Sequence, residues 1–196
     1  MSSVFYEMLE RYREDPVAWV RDIIGVQPDE WQQRVLEQIA KRTRRISVRS
    51  GHGVGKSACA SWAMLFFLFH NFPCKIVCTS PSQSQLFDSL MAELKATIRM
   101  LPDALSDLLE VFSDRVVLKG APSEAFISAR TARNDESGVQ ALQGIHSENV
   151  LLVCDESSAL SEAIFQSAGS SMSADHATML LLGNPVRAQG YFYDTF

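Results

Sequence analysis

A glycine-rich segment between a β-branched run and a long apolar run constrains the fold of this chain most strongly. It reads Ser-Gly-His-Gly-Val-Gly-Lys-Ser from Ser50 to Ser57. Its three glycines let backbone N–H groups turn inward around an anion, and a helix that begins near Gly55 points its positive dipole end at the same place. The spacing follows the pattern G-x-x-x-x-G-K-S/T except for Ser50 at the first position, where the side chain is still small. The segment predicts a phosphate-binding loop between a strand and a helix.

The two polar residues at the end of this segment predict how a nucleoside triphosphate is held. Lys56 is expected to neutralise the β- and γ-phosphates, and the Ser57 hydroxyl is expected to hold Mg²⁺. A loop that only connects a strand to a helix is the alternative, and it does not require this Lys-Ser pair. The residues predicted to contact the nucleotide are Ser50, Gly51, His52, Gly53, Val54, Gly55, Lys56 and Ser57.

Composition limits the chain to one well-packed domain, with or without a small helical appendage. It has 196 residues, of which 46% are hydrophobic, and 23 acidic residues against 18 basic ones give a net charge of -5. That charge argues against general coating of nucleic acid and leaves room only for local basic patches. Lys41, Arg42, Arg44 and Arg45 form one such cluster, which could contact DNA or could simply stabilise the end of a helix.

The cysteines and the apolar runs predict a cytoplasmic protein. Cys59, Cys74, Cys78 and Cys154 lie in apolar runs, where buried reduced thiols are common. No N-terminal segment resembles a signal peptide, and the longest apolar run, residues 58–69, is shorter than the roughly 20 residues that span a membrane.

The pattern of runs predicts an α/β fold. Residues 1–44 have helical spacing and are expected to form a helical N-terminal extension, while residues 45–196 alternate between strand-like and helix-like runs. Helices are expected at 82–99 and 162–170, and strands at 46–49, 75–79, 149–154 and 178–182. The runs at 116–119 and 125–129 are expected to form either an antiparallel pair or a strand with a β-excursion. Continuous apolar strands separated by helices imply a mostly parallel sheet covered on both faces, with ligands at the carboxyl ends of the strands.

An acid pair follows the strand predicted at 149–154. Asp155 is expected to position Mg²⁺, and Glu156 to orient and deprotonate the attacking water. Two acids at the end of a strand are also common in solvated loops, but a phosphate-binding loop about 100 residues upstream favours the catalytic interpretation. We expect Lys56 and this pair to meet across neighbouring strand ends.

Three further features have both a functional and a structural interpretation. Asn184 follows the last predicted strand and could sense the γ-phosphate, although Gly-Asn-Pro is also a common turn. Gln32 has the amide needed to read adenine, and Trp31 beside it is either apolar surface for the base or an anchor in the core. An arginine is expected to act on the developing γ-phosphate charge. The arginines considered for this role are Arg49, Arg130, Arg133 and Arg187.

Taken together, these motifs resemble the ATPase domain of the terminase large subunit of tailed phages. The resemblance covers residues 28–196 and includes Leu-Gln-Gly-Ile-His at 142–146 and Gly-Tyr-Phe-Tyr-Asp at 190–194. It implies a P-loop NTPase fold of the RecA/ASCE type and an ATPase that translocates double-stranded DNA into a preformed capsid. By the same resemblance, Gln32 reads adenine and Asn184 couples hydrolysis to movement. The implied partners are DNA, the portal protein, the small terminase subunit and further copies of the chain in a ring.

The sequence departs from the family pattern in two ways. His52 occupies a loop position where many relatives have an arginine that acts within the same chain. Arg49 is a substitute candidate for that role, and an arginine from a neighbouring subunit is the alternative. Family members usually continue into an RNase H-like nuclease domain, and we expect no nuclease activity from these 196 residues.

Two alternatives to the packaging motor remain open. A helicase-like DNA-dependent ATPase shares the glutamine, the lysine and the acid pair, but it needs a second RecA-like domain. A non-catalytic module that docks partners when ATP binds would need no equivalent of Glu156. A GTPase is disfavoured because the chain has no Asn-Lys-x-Asp element.

Overall fold

The computed structural model describes residues 3–51, 53–132, 142–169, 171–184 and 189–196, and within the first helix it leaves out the side chains of residues 3–6 and 8. Three residues named above lie outside the described residues: His52, Arg133 and Arg187.

The helices alternate with strands after an all-helical start. The α-helices are α1 (Ser3–Tyr12), α2 (Pro16–Trp19), α3 (Glu30–Ala40), α4 (Lys56–His70), α5 (Ala92–Ile98), α6 (Asp103–Ser106) and α7 (Glu162–Ala168). Two π-helical segments adjoin them, Val20–Ile24 after α2 and Gln85–Met91 before α5. Short 3₁₀ turns lie at Ser157–Ala159, Ser171–Ser173 and Tyr193–Thr195.

The described strands form one sheet. They are β1 (Arg45–Arg49), β2 (Cys74–Thr79), β3 (Leu109–Val111), β4 (Arg115–Leu118), β5 (Ala125–Ala129), β6 (Asn149–Cys154) and β7 (His176–Gly183). The order across the sheet is β1-β7-β6-β2-β5-β4-β3. The first five strands in this order run parallel, and β4 and β3 are antiparallel to their neighbours. The predicted mostly parallel sheet is therefore confirmed.

The strand order corrects the expectation that the loop strand and the acid strand are neighbours. β7 lies between β1 and β6 and pairs in parallel with both. All but the first residue of β7 are buried, so its side chains need cover on both faces and its backbone needs a partner on both edges. The end of β7 therefore lies between the phosphate-binding loop and the acid pair.

Apolar side chains of alternate strand residues fill a separate core on each face of the sheet. In β6, Leu151 and Val153 join the core that includes α4, while Val150 and Leu152 join the core under α7. This two-sided burial explains why β6 is continuously apolar. Helices lie on both faces, as predicted.

The helical N-terminal region shares the core of α4. Trp19 of α2 and Leu36 of α3 are fully buried and belong to the same cluster as Phe66. The Trp19 and Phe66 rings meet edge to face with centroids 5.8 Å apart. Aromatic pairs of this geometry contribute beyond their buried area, so these helices help to hold α4 in position.

The long helix α4 is buried on nearly all sides, which explains its uninterrupted apolar run. Across the described residues, no helix has the length and apolarity to cross a bilayer. The four cysteines are buried and unpaired, and burial raises the pKa of Cys59, Cys74 and Cys78 to about 12.

Candidate nucleotide-binding site

The glycine-rich loop adopts the backbone that its sequence requires. Gly53 and Gly55 have φ angles of 72° and 84°, in the left-handed region that glycine enters without strain. Gly55 is the N-cap of α4, so the loop ends at the positive end of this helix. A Cβ atom at Gly55 would lie 2.8 Å from the Gln32 Nε2 atom, so a larger residue would displace the Gln32 amide from the loop.

Lys56 is held inside the loop rather than extended into solvent. The residue is 7% exposed, and its Nζ atom donates a hydrogen bond of 2.6 Å to the Gly51 carbonyl oxygen. This bond keeps the ammonium group within the curve of the loop. The group is therefore positioned to exchange a backbone carbonyl for phosphate oxygens.

The strand β6 delivers a buried carboxylate to the same end of the sheet. Asp155 is 5% exposed, its backbone N–H donates to Thr79 O, and its Oδ1 atom accepts a 3.0 Å bond from the Glu156 N–H. Burial raises the pKa of Asp155 above its usual value, and the Glu156 N–H and the Lys56 charge partly offset this rise. Lys56 and Asp155 line the same cavity, so the loop and the end of β6 face one site.

One cavity of about 330 Å³ brings the predicted residues together. The described residues that line it are Gly53, Gly55, Lys56, Ser57, Ala58, Ser89, Glu93, Asp155 and Glu156. The predicted phosphate, metal and general-base residues thus share a single space, although two separate parts of the chain supply them, the loop with the start of α4 and the turn after β6. Their individual roles remain predictions.

The oxygen donors in this cavity suit Mg²⁺. The Ser57 hydroxyl and the Asp155 carboxylate are hard ligands, and Mg²⁺ is usually held by few protein oxygens while it keeps several waters. Within the part of the chain that the structure describes, no three His, Cys, Asp or Glu side chains converge as a metal cluster.

Comparisons with known proteins agree with this geometry. The chain is 29% identical over 197 aligned positions to the "Probable terminase, large subunit" of Enterobacteria phage P7, covering 96% of this chain and 38% of that protein. A mutant of the large terminase ATPase domain of Thermus phage P74-26 superposes with a TM-score of 0.67 at 18% identity, covering 92% of this chain and 74% of the other. The large terminase of a thermophilic bacteriophage in complex with ADP gives a TM-score of 0.60 at 15% identity, over 95% of this chain and 41% of the other. No family model matches the chain.

The chain has the fold of a large-terminase ATPase domain. It spans 38% of the length of its P7 relative.

Within this terminase fold, Gln32 binds the loop as well as its own helix. Its Oε1 atom accepts a 2.8 Å bond from the Asp29 N–H at the start of α3, and its Nε2 atom donates a 3.2 Å bond to the Gly55 carbonyl oxygen. Gln32 is 4% exposed. It therefore fixes α3 against the loop, a role that the sequence did not predict. The adenine contact stays a prediction, and Trp31 packs against the core.

Asn184 follows β7 at the tip between the two halves of the site. The preceding Gly183 accepts a 3.1 Å bond from the Ser50 N–H, so β7 is joined directly to the start of the loop. A Cβ atom at Gly183 would lie 3.0 Å from the Phe192 ring and 3.3 Å from the Ser157 nitrogen. The end of β7 is thus packed between the turn after Glu156 and the C-terminal segment.

The structure locates two of the four arginines considered for the γ-phosphate. The Arg49 guanidinium lies 5.0 Å from the centre of the Phe196 ring in a cation–π contact. The Arg130 backbone bonds to Cys78 O and Thr79 Oγ1 at the end of β5. Neither residue lines the cavity of about 330 Å³, and the assignment of Arg49 stays a prediction.

Ser89 and Glu93 line the cavity although the sequence did not indicate them. Both lie on the helix that follows β2, and the Ser89 and Ser57 hydroxyl oxygens are 3.5 Å apart. The π-helical segment Gln85–Met91 changes which residues of this helix face the loop, and this cannot be read from a regular helical period.

Proposed function

We propose that this chain is the ATPase domain of a phage terminase large subunit and uses ATP hydrolysis to move double-stranded DNA into a preformed capsid. The observation that supports it most is the common cavity of Lys56, Ser57, Asp155 and Glu156 at the carboxyl ends of the strands. The sequence likeness to the P7 protein supports the packaging role, and the fold likeness supports the ATPase architecture.

Binding of ATP would begin at the loop. Backbone N–H groups between Gly51 and Ser57 would surround the phosphates, and Lys56 would leave Gly51 O to pair with the β- and γ-phosphates. The Gln32 Nε2 atom carries two hydrogens, and one of them bonds to Gly55 O. The second hydrogen would bond to adenine.

Hydrolysis would use the acid pair. Ser57 and Asp155 would hold Mg²⁺, which when bound neutralises charge on the β- and γ-phosphate oxygens. Glu156 would orient the attacking water and accept its proton. Arg49 would stabilise charge on the γ-phosphate after exchanging its contact with Phe196 for phosphate oxygens.

Coupling of hydrolysis to movement would pass through the end of β7. Asn184 lies between the loop and the acid pair and would sense the γ-phosphate through its amide. Gly183 contacts the C-terminal segment at Phe192, so a shift at Asn184 would be transmitted to the chain that follows. We further propose that the working motor is a ring of copies that engages DNA, a portal protein and a small terminase subunit.

The test is phosphate release together with nucleotide binding, with and without double-stranded DNA. The Glu156→Gln variant should bind ATP as tightly as the parent and lose at least about a hundredfold in turnover, since it lacks the general base. Glu124→Gln is the control, because Glu124 is exposed and precedes β5, at the amino ends of the parallel strands and opposite to the end that carries the cavity. Binding without turnover in the parent, even with DNA, would favour the non-catalytic module and contradict the ATPase proposal.

A further inference from the structure

The helix that follows β2 presents a row of polar side chains to α4. Ser89 and Glu93 both line the cavity, and Thr97 follows one turn later. Ser89 faces Ser57 with 3.5 Å between their hydroxyl oxygens, and Thr97 bonds to Ser61 at 2.8 Å. Because the flanking contacts hold this face against α4, the helix directs Glu93 between them toward the metal-binding end of the loop.

The helical geometry here is also unusual. Residues Gln85–Met91 form a π-helix before the regular α-helix resumes at Ala92. Such segments are uncommon and occur frequently at functional sites. The last turn of this segment contains Ser89, the residue that contacts the loop serine.

The charges in the cavity favour a divalent cation over a free triphosphate. Glu93, Asp155 and Glu156 supply three carboxylates, against the single ammonium group of Lys56, among the described residues that line it. Glu93 is half-buried, so water screens its charge only in part. The Glu93 carboxylate would therefore repel a triphosphate that is bound without a metal.

We propose that Glu93 is a positioning residue for the metal, and that its carboxylate accepts hydrogen bonds from water bound to the Mg²⁺ that Ser57 and Asp155 hold. Mg²⁺ usually keeps several of its waters, and carboxylates in this outer layer orient them. The inference rests on the proposed function, since it requires a site for ATP and Mg²⁺. It assigns a third element, the helix after β2, to the control of metal binding.

The test measures binding of a fluorescent ATP analogue over a series of Mg²⁺ concentrations and again in excess EDTA. Glu93→Gln should raise the Mg²⁺ concentration for half-maximal binding about tenfold, the lower end for outer-layer partners of a metal. In EDTA the same variant should bind the analogue about threefold more tightly, because a negative charge near the triphosphate is gone. Binding of Mn²⁺ in the presence of the analogue, counted by electron paramagnetic resonance, should weaken in parallel.

The matched control is again Glu124→Gln, which removes one carboxylate far from the cavity. If Glu93→Gln and Glu124→Gln behave alike in both series, the inference is wrong. It is also wrong if Glu93→Gln weakens binding with and without metal, since that would indicate a structural role. Failure of the parent protein to bind the analogue under any condition would instead overturn the proposed function, and this inference with it.

Discussion

At the scale of single residues, Glu156 has a backbone conformation that is uncommon for its type. Its φ and ψ angles are 49° and 42°, in the left-handed region, directly after the buried strand β6. For a residue with a Cβ atom, this left-handed conformation lowers the stability of the folded state by on the order of 1 kcal/mol. The sharp turn brings Glu156 into the cavity beside Asp155, so the strain is located where the proposed chemistry needs it.

The buried charge of Asp155 predicts a gain in stability when it is removed. The raised folded-state pKa means that the ionised carboxylate is disfavoured in the folded protein at neutral pH. Asp155→Asn should therefore stabilise the metal-free protein at pH 7 by on the order of 1 kcal/mol, measured by urea unfolding. The gain should shrink as the pH falls through the raised pKa, since the carboxyl group is then neutral in the folded parent too. A variant less stable than the parent at pH 7 would contradict the account.

Gly55, at the start of α4, should tolerate substitution poorly. Gly55→Ala places a Cβ atom 2.8 Å from Gln32 Nε2 in a backbone with a φ of 84°. We expect a loss of about 1–3 kcal/mol in unfolding free energy and at least tenfold weaker nucleotide binding. Gly25→Ala is the control, because its φ of 81° gives a similar backbone strain while no atom lies within 4 Å of its added Cβ. Equal effects of the two variants would show that the contact between Gln32 and the loop is unimportant.

At the scale of elements, the sequence predicted every parallel strand of the sheet and missed one antiparallel strand. The prediction for 149–154 coincides with β6, since a continuously apolar run bounded by polar residues has few alternatives. The strand β3 has three residues, two of them exposed, and leaves no periodic signal. The antiparallel alternative for the runs at 116–119 and 125–129 was confirmed as β4 and β5.

The parts of the site that the sequence missed depend on tertiary contacts. The loop and the acid pair have recognisable local patterns, and they were located from these alone. The bond from Gln32 to Gly55 joins residues 23 positions apart, and the approach of Ser89 to Ser57 spans 32 positions. Neither contact has a local pattern in the sequence. The insertion of β7 between β1 and β6 was missed for the same reason.

The close packing of Phe192 against Gly183 at the end of β7 can be tested by a rescue experiment. Gly183→Ala would place a Cβ atom 3.0 Å from the Phe192 ring, which is buried and cannot easily move. We expect a loss of about 1–3 kcal/mol from overpacking, measured by chemical unfolding. Phe192→Leu, which removes the ring atoms, should recover part of this loss when it is combined with Gly183→Ala. Additive losses in the double variant would rule out the contact as the cause.

At the scale of the whole molecule, the buried His70 links stability to pH. His70 ends α4, its Nδ1 atom lies 2.8 Å from Phe66 O, and its ring stacks on Phe66 with centroids 4.2 Å apart. Its pKa is lowered to about 4, mainly by burial; the Phe66 bond opposes this change and the Arg13 charge adds a smaller lowering.

The direction of the effect follows from the order of the two pKa values. Below pH 6.5 the unfolded chain binds a proton at His70 that the folded chain does not bind until about pH 4. This group therefore lowers the unfolding free energy as the pH falls through that window, by about 3 kcal/mol in total. His70→Gln should flatten the slope between pH 6.5 and 4. An unaltered slope in His70→Gln would contradict this assignment.

The N-terminal helices share a core with α4, and through this core they support the site. α2 and α3 pack on α4, whose first residues are Lys56 and Ser57. The sequence predicted that residues 1–44 are helical, but helical periodicity does not indicate which element a helix packs against. That information comes only from the tertiary fold.

The central claim is that Lys56 and Asp155 act on one ligand. A double-mutant cycle on the affinity for a non-hydrolysable ATP analogue with Mg²⁺, using Lys56→Met, Asp155→Asn and the combined variant, tests it most directly. Because both residues would contact the same triphosphate and ion, the account predicts non-additive losses, with a coupling of at least about 1 kcal/mol. Losses that add within about 0.5 kcal/mol would mean that the two residues act independently, and this result would contradict a single site for ATP and its metal.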